Sequence, residues 1–416
     1  MKKLTVILAF VALGFSAAAQ SLNVSSAYEA QNRGYLKKAK GYIDEACLNE
    51  QTKEDPQTWF YATLIYCKIG DEISQNTKKG RELKEVAPDW YRKAFNALLA
   101  WHQFDTKGEY TNKITPFFAY VSNTYYNKAV TEVSAQGKTP NYAYAMALCD
   151  TAIQLSNVVG NKDLATSSYY LAGQCARALG NNEAMKKYFL PLTKSKPNKQ
   201  TFDAKLVYES MFQLYVKEKD TVNAMKVARS YTRNYPDDFQ ADALMAGAYL
   251  MNGNPEKGVE IMNKAVEKVA ADPTKKAEAL SIAAGFYEQA KDYTGAEAKY
   301  KEALQINANS YAANYGLAAM NFNRAADKIT EAGNVPIDDE TGLYDKLNNE
   351  AKEYFRASVP YFVAAIAYID GLPADQQPQH KANLHTCLRS LSTVYARLDM
   401  LEESKAAEAR ATALEK

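Results

Sequence analysis

The chain is poor in helix breakers and in cysteine. Its 416 residues include only 19 Gly, 13 Pro and 5 Cys, where average usage is about 7% Gly and 5% Pro. Few breakers disfavour a β-sandwich or barrel, which needs many turns. So few cysteines, with no C-x-x-C pair, exclude a disulfide scaffold. Hydrophobic residues make up 47% and Tyr alone counts 30, and Ala is abundant. We therefore expect a folded, helical protein.

The chain also lacks a charge excess and catalytic motifs. The net charge is +2, and without Lys2 and Lys3 the basic and acidic residues are equal in number. We therefore expect no nucleic-acid partner. Phosphate loops, dinucleotide fingerprints, zinc-protease motifs, calcium loops and nucleophile elbows are absent from the sequence. His380 and His385 are five apart, off the i, i+4 spacing of metal ligands on a helix, and the Asp338–Glu340 run lacks calcium-loop spacing. We expect no enzyme activity, no cofactor and no metal.

The N-terminus reads as an export signal. Basic Met1–Lys3 precedes the apolar run Leu4–Phe15, and small residues follow up to Ala19. This pattern predicts a cleavable signal peptide, with cleavage before Gln20. The apolar run is shorter than the ~20 residues that span a membrane, and a lipid anchor is not expected because the first cysteine is Cys47. We predict a periplasmic, cell-envelope or secreted protein with no transmembrane span in the mature chain.

A repeat organises the centre of the chain. Tyr215, Tyr249 and Tyr287 lie 34 and 38 residues apart, and each is followed nine residues later by a tiny residue. Small and aromatic residues at helical spacing, repeated with this period, predict stacked helical hairpins. The residues that follow the tyrosines in this register are Ala224, Gly258 and Ala296, then Ala228, Met262 and Tyr300, then Tyr231, Ala265 and Ala303.

These residues resemble the tetratricopeptide repeat (TPR), whose pattern is W-x2-L-G-x2-Y, then A-x3-F-x2-A and a terminal Pro. Trp59, Tyr66 and Gly70 match its first half, the triplet Ala296–Ala303 matches its second, and Pro236 stands where the terminal Pro is expected. The resemblance implies an all-α fold, a right-handed α-solenoid of about nine antiparallel helical hairpins in a TPR-like superhelix. The irregular units are similar to those of secreted TPR proteins of Gram-negative bacteria.

The units differ in regularity along the chain. In the second, an insertion delays the second helix to about Trp90–Phe104. In the eighth, a break at Gly333–Pro336 precedes a long helix near Tyr344–Ile369, which we expect to be interrupted at Pro360. The expected division is a signal peptide over 1–19, irregular TPR-like repeats over 20–156, regular repeats over 157–308, and C-terminal repeats with a long insertion and capping helices over 309–416.

The resemblance also implies where a ligand binds. TPR superhelices hold extended peptides or partner helices along a concave groove lined by the first helix of each hairpin. The groove is mixed-polar and lacks the repeated Lys/Asn/Arg set of the TPR carboxylate clamp. In this register the groove candidates are Tyr169, Arg177, Glu209, Gln213, Lys217, Gln240, Met251, Ser281, Gln289, Tyr315 and Asn323.

One cysteine pair could form a disulfide. In the hairpin register Cys149 and Cys175 lie at nearly the same height on adjacent helices. Cys47 and Cys67 are offset by several residues, which at 1.5 Å rise exceeds the reach of a disulfide. The alternative for all five cysteines is burial as small hydrophobic side chains.

Three functions remain open at this point. The first is a non-enzymatic interaction scaffold in the periplasm or cell envelope that binds a protein or peptide partner. The alternative is a binding protein for an extracellular peptide or glycan in nutrient uptake. The third is an enzyme with its site in the insertions at 71–88 or 327–350. Because a fold does not determine a function, the site has to decide between them.

Overall fold

The fold is known from a computed structural model that describes residues 23–134, 137, 139–194, 202–337 and 340–415. These residues form helices and turns, with no β-strand among them. None of their helices is long and apolar enough to cross a membrane. The expected signal peptide and the acidic pair Asp338–Asp339 lie outside the described residues.

The chain divides into two compact units, Met1–Val207 and Tyr208–Lys416. The helices of the first unit are α1 (23–32), α2 (Leu36–Leu48), α3 (Pro56–Ser74), α4 (Lys78–Val86), α5 (Trp90–Phe104), α6 (Thr111–Ser134), α7 (Tyr142–Val158), α8 (Lys162–Ala178) and α9 (Asn182–Lys194). The unit boundary falls within α10 (Ala204–Lys217). The helices after it are α11 (Thr221–Asn234), α12 (Phe239–Met251), α13 (Pro255–Lys268), α14 (Pro273–Gln289), α15 (Tyr293–Ile306), α16 (Tyr311–Gly333), α17 (Leu343–Asp370), α18 (Lys381–Arg397) and α19 (Leu401–Glu415), with a 3₁₀ turn at Gln377–His380.

Successive helices pack against each other as hairpins. The packed pairs are α3 with α5, α6 with α7, α8 with α9, α12 with α13, α14 with α15, α16 with α17, and α18 with α19. The all-α, TPR-like hairpin array predicted from the repeat spacing is thereby confirmed.

The tight turns inside the regular hairpins repeat one arrangement of backbone and side chain. A residue with positive φ ends the first helix, and an Asp or Asn then caps the second. The N–H of this cap bonds back to the carbonyl of the repeat tyrosine, closing the helix end as a Schellman motif does. These turns are Lys219-Asp220 to Tyr215 at 2.8 Å, Gly253-Asn254 to Tyr249 at 3.0 Å, and Lys291-Asp292 to Tyr287 at 2.9 Å.

The tiny residues of the repeat lie where helices approach most closely. Ala224 and Ala296 are fully buried. A Cβ added to Gly173 would lie 2.1 Å from the Phe189 ring, and one added to Gly70 would lie 2.4 Å from the Trp90 ring. The pattern therefore predicts the helix crossings correctly, because only small side chains leave room for the aromatic ring opposite.

Two features of the insertions differ from expectation. The second predicted hairpin, which lies in the first compact unit, contains an additional helix, α4, within its insertion, although α5 has the predicted bounds. The predicted interruption at Pro360 is wrong, because α17 is continuous through this residue. Pro360 is exposed, while Phe355 and Phe362 on either side of it are buried in the core shared with α16. We attribute the continuity of the helix to this packing, which outweighs the one hydrogen bond that proline cannot make.

The two helices of each hairpin have different neighbours. In the first unit α3 touches α6 and α6 touches α8, and in the second unit α12 touches α14, α14 touches α16 and α16 touches α18. All of these are first helices of their hairpins. Within the described ranges, the second helices of neighbouring hairpins make no comparable contacts. We call the surface carried by the first helices of a unit its first-helix face.

Candidate functional site

The predicted groove residues all lie on first helices. Tyr169 and Arg177 are on α8 in the first unit. In the second unit the exposed candidates are Gln213 and Lys217 on α10, Gln289 on α14 and Asn323 on α16, and the half-buried ones are Glu209, Gln240, Met251 and Tyr315.

Ser281 is not a groove residue. Its side chain is buried, and its hydroxyl donates a hydrogen bond at 2.9 Å to the carbonyl of Ala277, one turn earlier on α14. The prediction was wrong because the repeat register assigns this position to the groove, whereas this turn of α14 faces the neighbouring helices. A serine can satisfy its hydroxyl on its own helix and so tolerates burial.

Tyr315 belongs to a packed aromatic layer. Its ring stacks on Tyr311 at 5.7 Å between centroids and meets Phe362 of α17 edge-on at 6.5 Å. Burial raises the pKa of the Tyr315 phenol. Its main contribution is therefore to hold α16 against α17, and only part of the ring is open to a ligand.

An aromatic cluster that no sequence pattern predicts lies on the first-helix face of the first unit. Tyr28 of α1 lies against Tyr61 of α3 at 4.8 Å between ring centroids. Phe60 contacts Tyr61 at 5.3 Å and stacks on Tyr110, just before α6, at 4.9 Å. We call these four residues the aromatic ledge. Three successive hairpins contribute to it.

Local hydrogen bonds fix the loop that carries Tyr110 and the start of α3, which carries Phe60 and Tyr61. The Asp105 carboxylate accepts from the backbone N–H of Glu109 at 3.0 Å and of Tyr110 at 3.1 Å, which fixes the loop before α6. Asp55 caps α3 by accepting from the N–H of Gln57 at 2.8 Å. The cap fixes the first turn of α3, and Phe60 and Tyr61 follow directly after this turn.

The edge of the ledge near Tyr110 is acidic. Burial and the neighbouring Tyr28 phenol raise the pKa of Tyr61. Burial, Tyr61 and the carboxylates of Asp55 and Glu109 raise the pKa of Tyr110. Two carboxylates, those of Asp55 and Glu109, therefore lie near the Tyr110 phenol. The ledge thus combines one exposed ring, that of Tyr28, and three half-buried rings with two neighbouring carboxylates.

The cysteines hold buried or half-buried free thiols. Cys149 on α7 and Cys175 on α8 lie on packed helices, and burial together with the charge of Cys175 raises the pKa of Cys149. Both thiols are free in this structure, and the possible disulfide between them stays untested. Burial also raises the pKa of Cys47 to about 12 and of Cys175 to about 11.

Metal-binding geometry is absent from the part of the chain that the structure describes: nowhere in it do three His, Cys, Asp or Glu side chains come together as ligands. His385 lies 2.9 Å from a carboxylate oxygen of Glu415, which joins α18 to α19. This contact gives the histidine a structural partner.

No family model matches the chain, and no curated protein matches it. Among solved structures, the C-terminal part of a TPR repeat-containing protein from Cytophaga hutchinsonii is 13% identical over 68% of this chain and 99% of that chain, with a TM-score of 0.35. A TPR repeats protein from Bacteroides fragilis is 16% identical over 64% and 97%, with a TM-score of 0.24. The human IFIT1 dimer with PPP-AAAA is 15% identical over 95% and 85%, with a TM-score of 0.30. Scores this low add nothing to the hairpin pattern already described.

Proposed function

We propose that the chain is a non-enzymatic interaction scaffold of the periplasm or cell envelope, which binds a peptide segment or a partner protein in a groove formed by its first helices. The observation that carries the proposal is the contact between first helices of successive hairpins. Within each unit these contacts join the first helices into a surface of rigid elements, the kind on which repeat proteins bind extended partners.

The side chains on this face suit a polypeptide ligand. Gln213, Lys217, Gln289 and Asn323 are exposed and come from α10, α14 and α16. Amide groups can donate to and accept from a peptide backbone, and a lysine can pair with a carboxylate. Polar groups from three hairpins of the second unit thus offer contacts to an extended chain at several places along its length.

The thiol chemistry argues against a cysteine nucleophile. A catalytic cysteine needs a lowered pKa, because the thiolate is the nucleophile. Here burial raises the pKa of every cysteine. The cysteines are therefore suited to packing and not to catalysis.

Site-specific photocrosslinking tests the proposal. A benzophenone amino acid replaces Gln289 on α14 or Gln305 on α15, two exposed glutamines of the same hairpin. In living cells we expect one defined protein adduct from Gln289 and none from Gln305. Gln213 on α10 and Arg229 on α11 form a second matched pair. Adducts from the second helices alone, or equally from both members of a pair, would contradict the proposal.

Location and partner class have their own tests. Export predicts that the mature chain recovered from the envelope begins at Gln20. N-terminal sequencing of that chain tests this prediction. The balanced charge predicts no mobility shift of single-stranded RNA or DNA at physiological salt. An intact N-terminus in the cytoplasm would overturn the location, and a salt-sensitive shift would overturn the exclusion of nucleic acid.

A further inference from the structure

We propose that the aromatic ledge binds a lysine or arginine side chain carried by an extended segment of the partner protein. This inference rests on the proposed function and names the chemistry of the segment that the first-helix face receives. The ledge is formed by Tyr28, Phe60, Tyr61 and Tyr110.

The four rings of the ledge form one connected row that a cation can approach. Tyr28 is 40% exposed, and Phe60, Tyr61 and Tyr110 are half-buried. The three ring contacts lie between 4.8 and 5.3 Å, so the rings form one connected row. Ring faces are negative in potential, and a cationic side chain is attracted to them within about 6 Å of a centroid.

Carboxylates lie near the Tyr110 end of this row. The carboxylates of Asp55 and Glu109 act on the Tyr110 phenol. Arg33, the arginine nearest to Tyr28 in the sequence, is paired with Glu29 at 3.6 Å. An incoming cation is therefore the complementary ligand, because it can lie over a ring and pair with Asp55 or Glu109.

The length of the ledge indicates an extended segment and not an isolated amine. Its residues come from α1, α3 and the start of α6, which belong to three successive hairpins. Successive ring centroids are 4.8, 5.3 and 4.9 Å apart, which limits the row from Tyr28 to Tyr110 to about 15 Å. An extended chain of about four or five residues has this length.

The direct test uses a synthetic probe and the mature full-length chain. The probe is an acetylated, amidated seven-residue peptide of glycine with two arginines, and its control carries two citrullines, which have the same shape without the charge. We expect the arginine peptide to shift the ring ¹³C resonances of Tyr28, Tyr61 and Tyr110 in labelled protein. The citrulline peptide should bind at least fivefold more weakly.

Matched variants locate the binding. Tyr28→Ala should weaken binding of the arginine peptide at least fivefold. Tyr42→Ala removes a tyrosine of α2 that is 38% exposed and has no place in the ledge, so it should leave binding unchanged. Tyr28→Leu keeps apolar volume at α1 without the ring and should behave as Tyr28→Ala does. Glu109→Gln should weaken binding about threefold and reduce its dependence on salt.

The outcomes separate this inference from the proposed function. Equal binding of the two peptides, equal effects of the Tyr28 and Tyr42 variants, or binding of a linear glucan oligosaccharide alone would overturn the inference. If Gln289 still gave its protein adduct, the proposed function would stand without it. Peptide binding at the ledge with no adduct from any first-helix position would instead support the ledge and contradict the wider groove.

Discussion

Replacing Gly316 by alanine tests whether close helix approach depends on glycine. A Cβ at Gly316 of α16 would lie 2.3 Å from Cε1 and Cζ of Tyr300, where carbon atoms normally stay about 3.5–4 Å apart. The Tyr300 ring is buried, and its hydroxyl donates to Glu288 Oε1 at 2.6 Å. Overpacking costs about 1–3 kcal/mol, and a strained hydrogen bond adds about 0.5–1.5 kcal/mol. Helix propensity offsets about 1 kcal/mol, so we expect net destabilisation of about 0.5–3.5 kcal/mol.

Gly285 of α14 provides the control. It is also helical, and a Cβ there would meet nothing within 4 Å. Gly285→Ala should therefore stabilise the chain by about 0.5–1 kcal/mol. Urea unfolding followed by circular dichroism gives both changes, and hydrogen exchange of peptides from α14 to α16 localises them. If Gly316→Ala proved as stable as Gly285→Ala, the explanation of the repeat by close approach would be refuted.

Three further predictions concern a proline, a carboxyl group and the thiols. Pro360→Ala restores a hydrogen bond to the Arg356 carbonyl without loss of packing, and should stabilise α17 by about 1–3 kcal/mol in urea unfolding. Burial raises the pKa of Glu288 above 4.5, so its contribution to stability is present at acid pH and is lost as the pH rises through the folded value. Glu288→Gln should therefore give a smaller fall in Tm between about pH 4 and 7, and an unchanged profile would show that the group is not buried in solution. Thiol titration of the denatured, unreduced chain should find five thiols, whereas three would indicate a Cys149–Cys175 disulfide.

The regular hairpins were predictable because their packing depends on residues that lie close together in the sequence. A tiny residue, an aromatic ring and a cap recur at fixed spacing, and each acts within one hairpin or the next. The Tyr249 carbonyl bonds to the Asn254 N–H at 3.0 Å, five residues on. Contacts so short in sequence leave a period that a single chain reveals.

Features that depend on distant residues were not predictable in this way. Helix α4 packs on the end of α3 so closely that a Cβ at Gly80 would lie 2.1 Å from the Glu72 carbonyl oxygen, and no periodic signal announces such a contact. The ledge joins Tyr28 to Tyr110 through rings of an intervening helix. Its members follow no shared spacing. Phe60 and Tyr61 are next to the motif residue Trp59, and aromatic residues at such positions indicate packing between helices as readily as a binding surface.

The contacts between first helices also have a mechanical consequence within each unit. Within the described part of each unit the first helices of neighbouring hairpins touch each other and their second helices do not, while the second helix of one hairpin packs on the first helix of the next, as α7 does on α8. We therefore expect each joint to bend about an axis close to the first helices, so that distances across the second helices change most and those along the first helices stay nearly constant. A segment bound across the first helices would then keep its contacts while the spacing between the second helices changes. Elastic bending and a fixed binding register can therefore coexist within one unit.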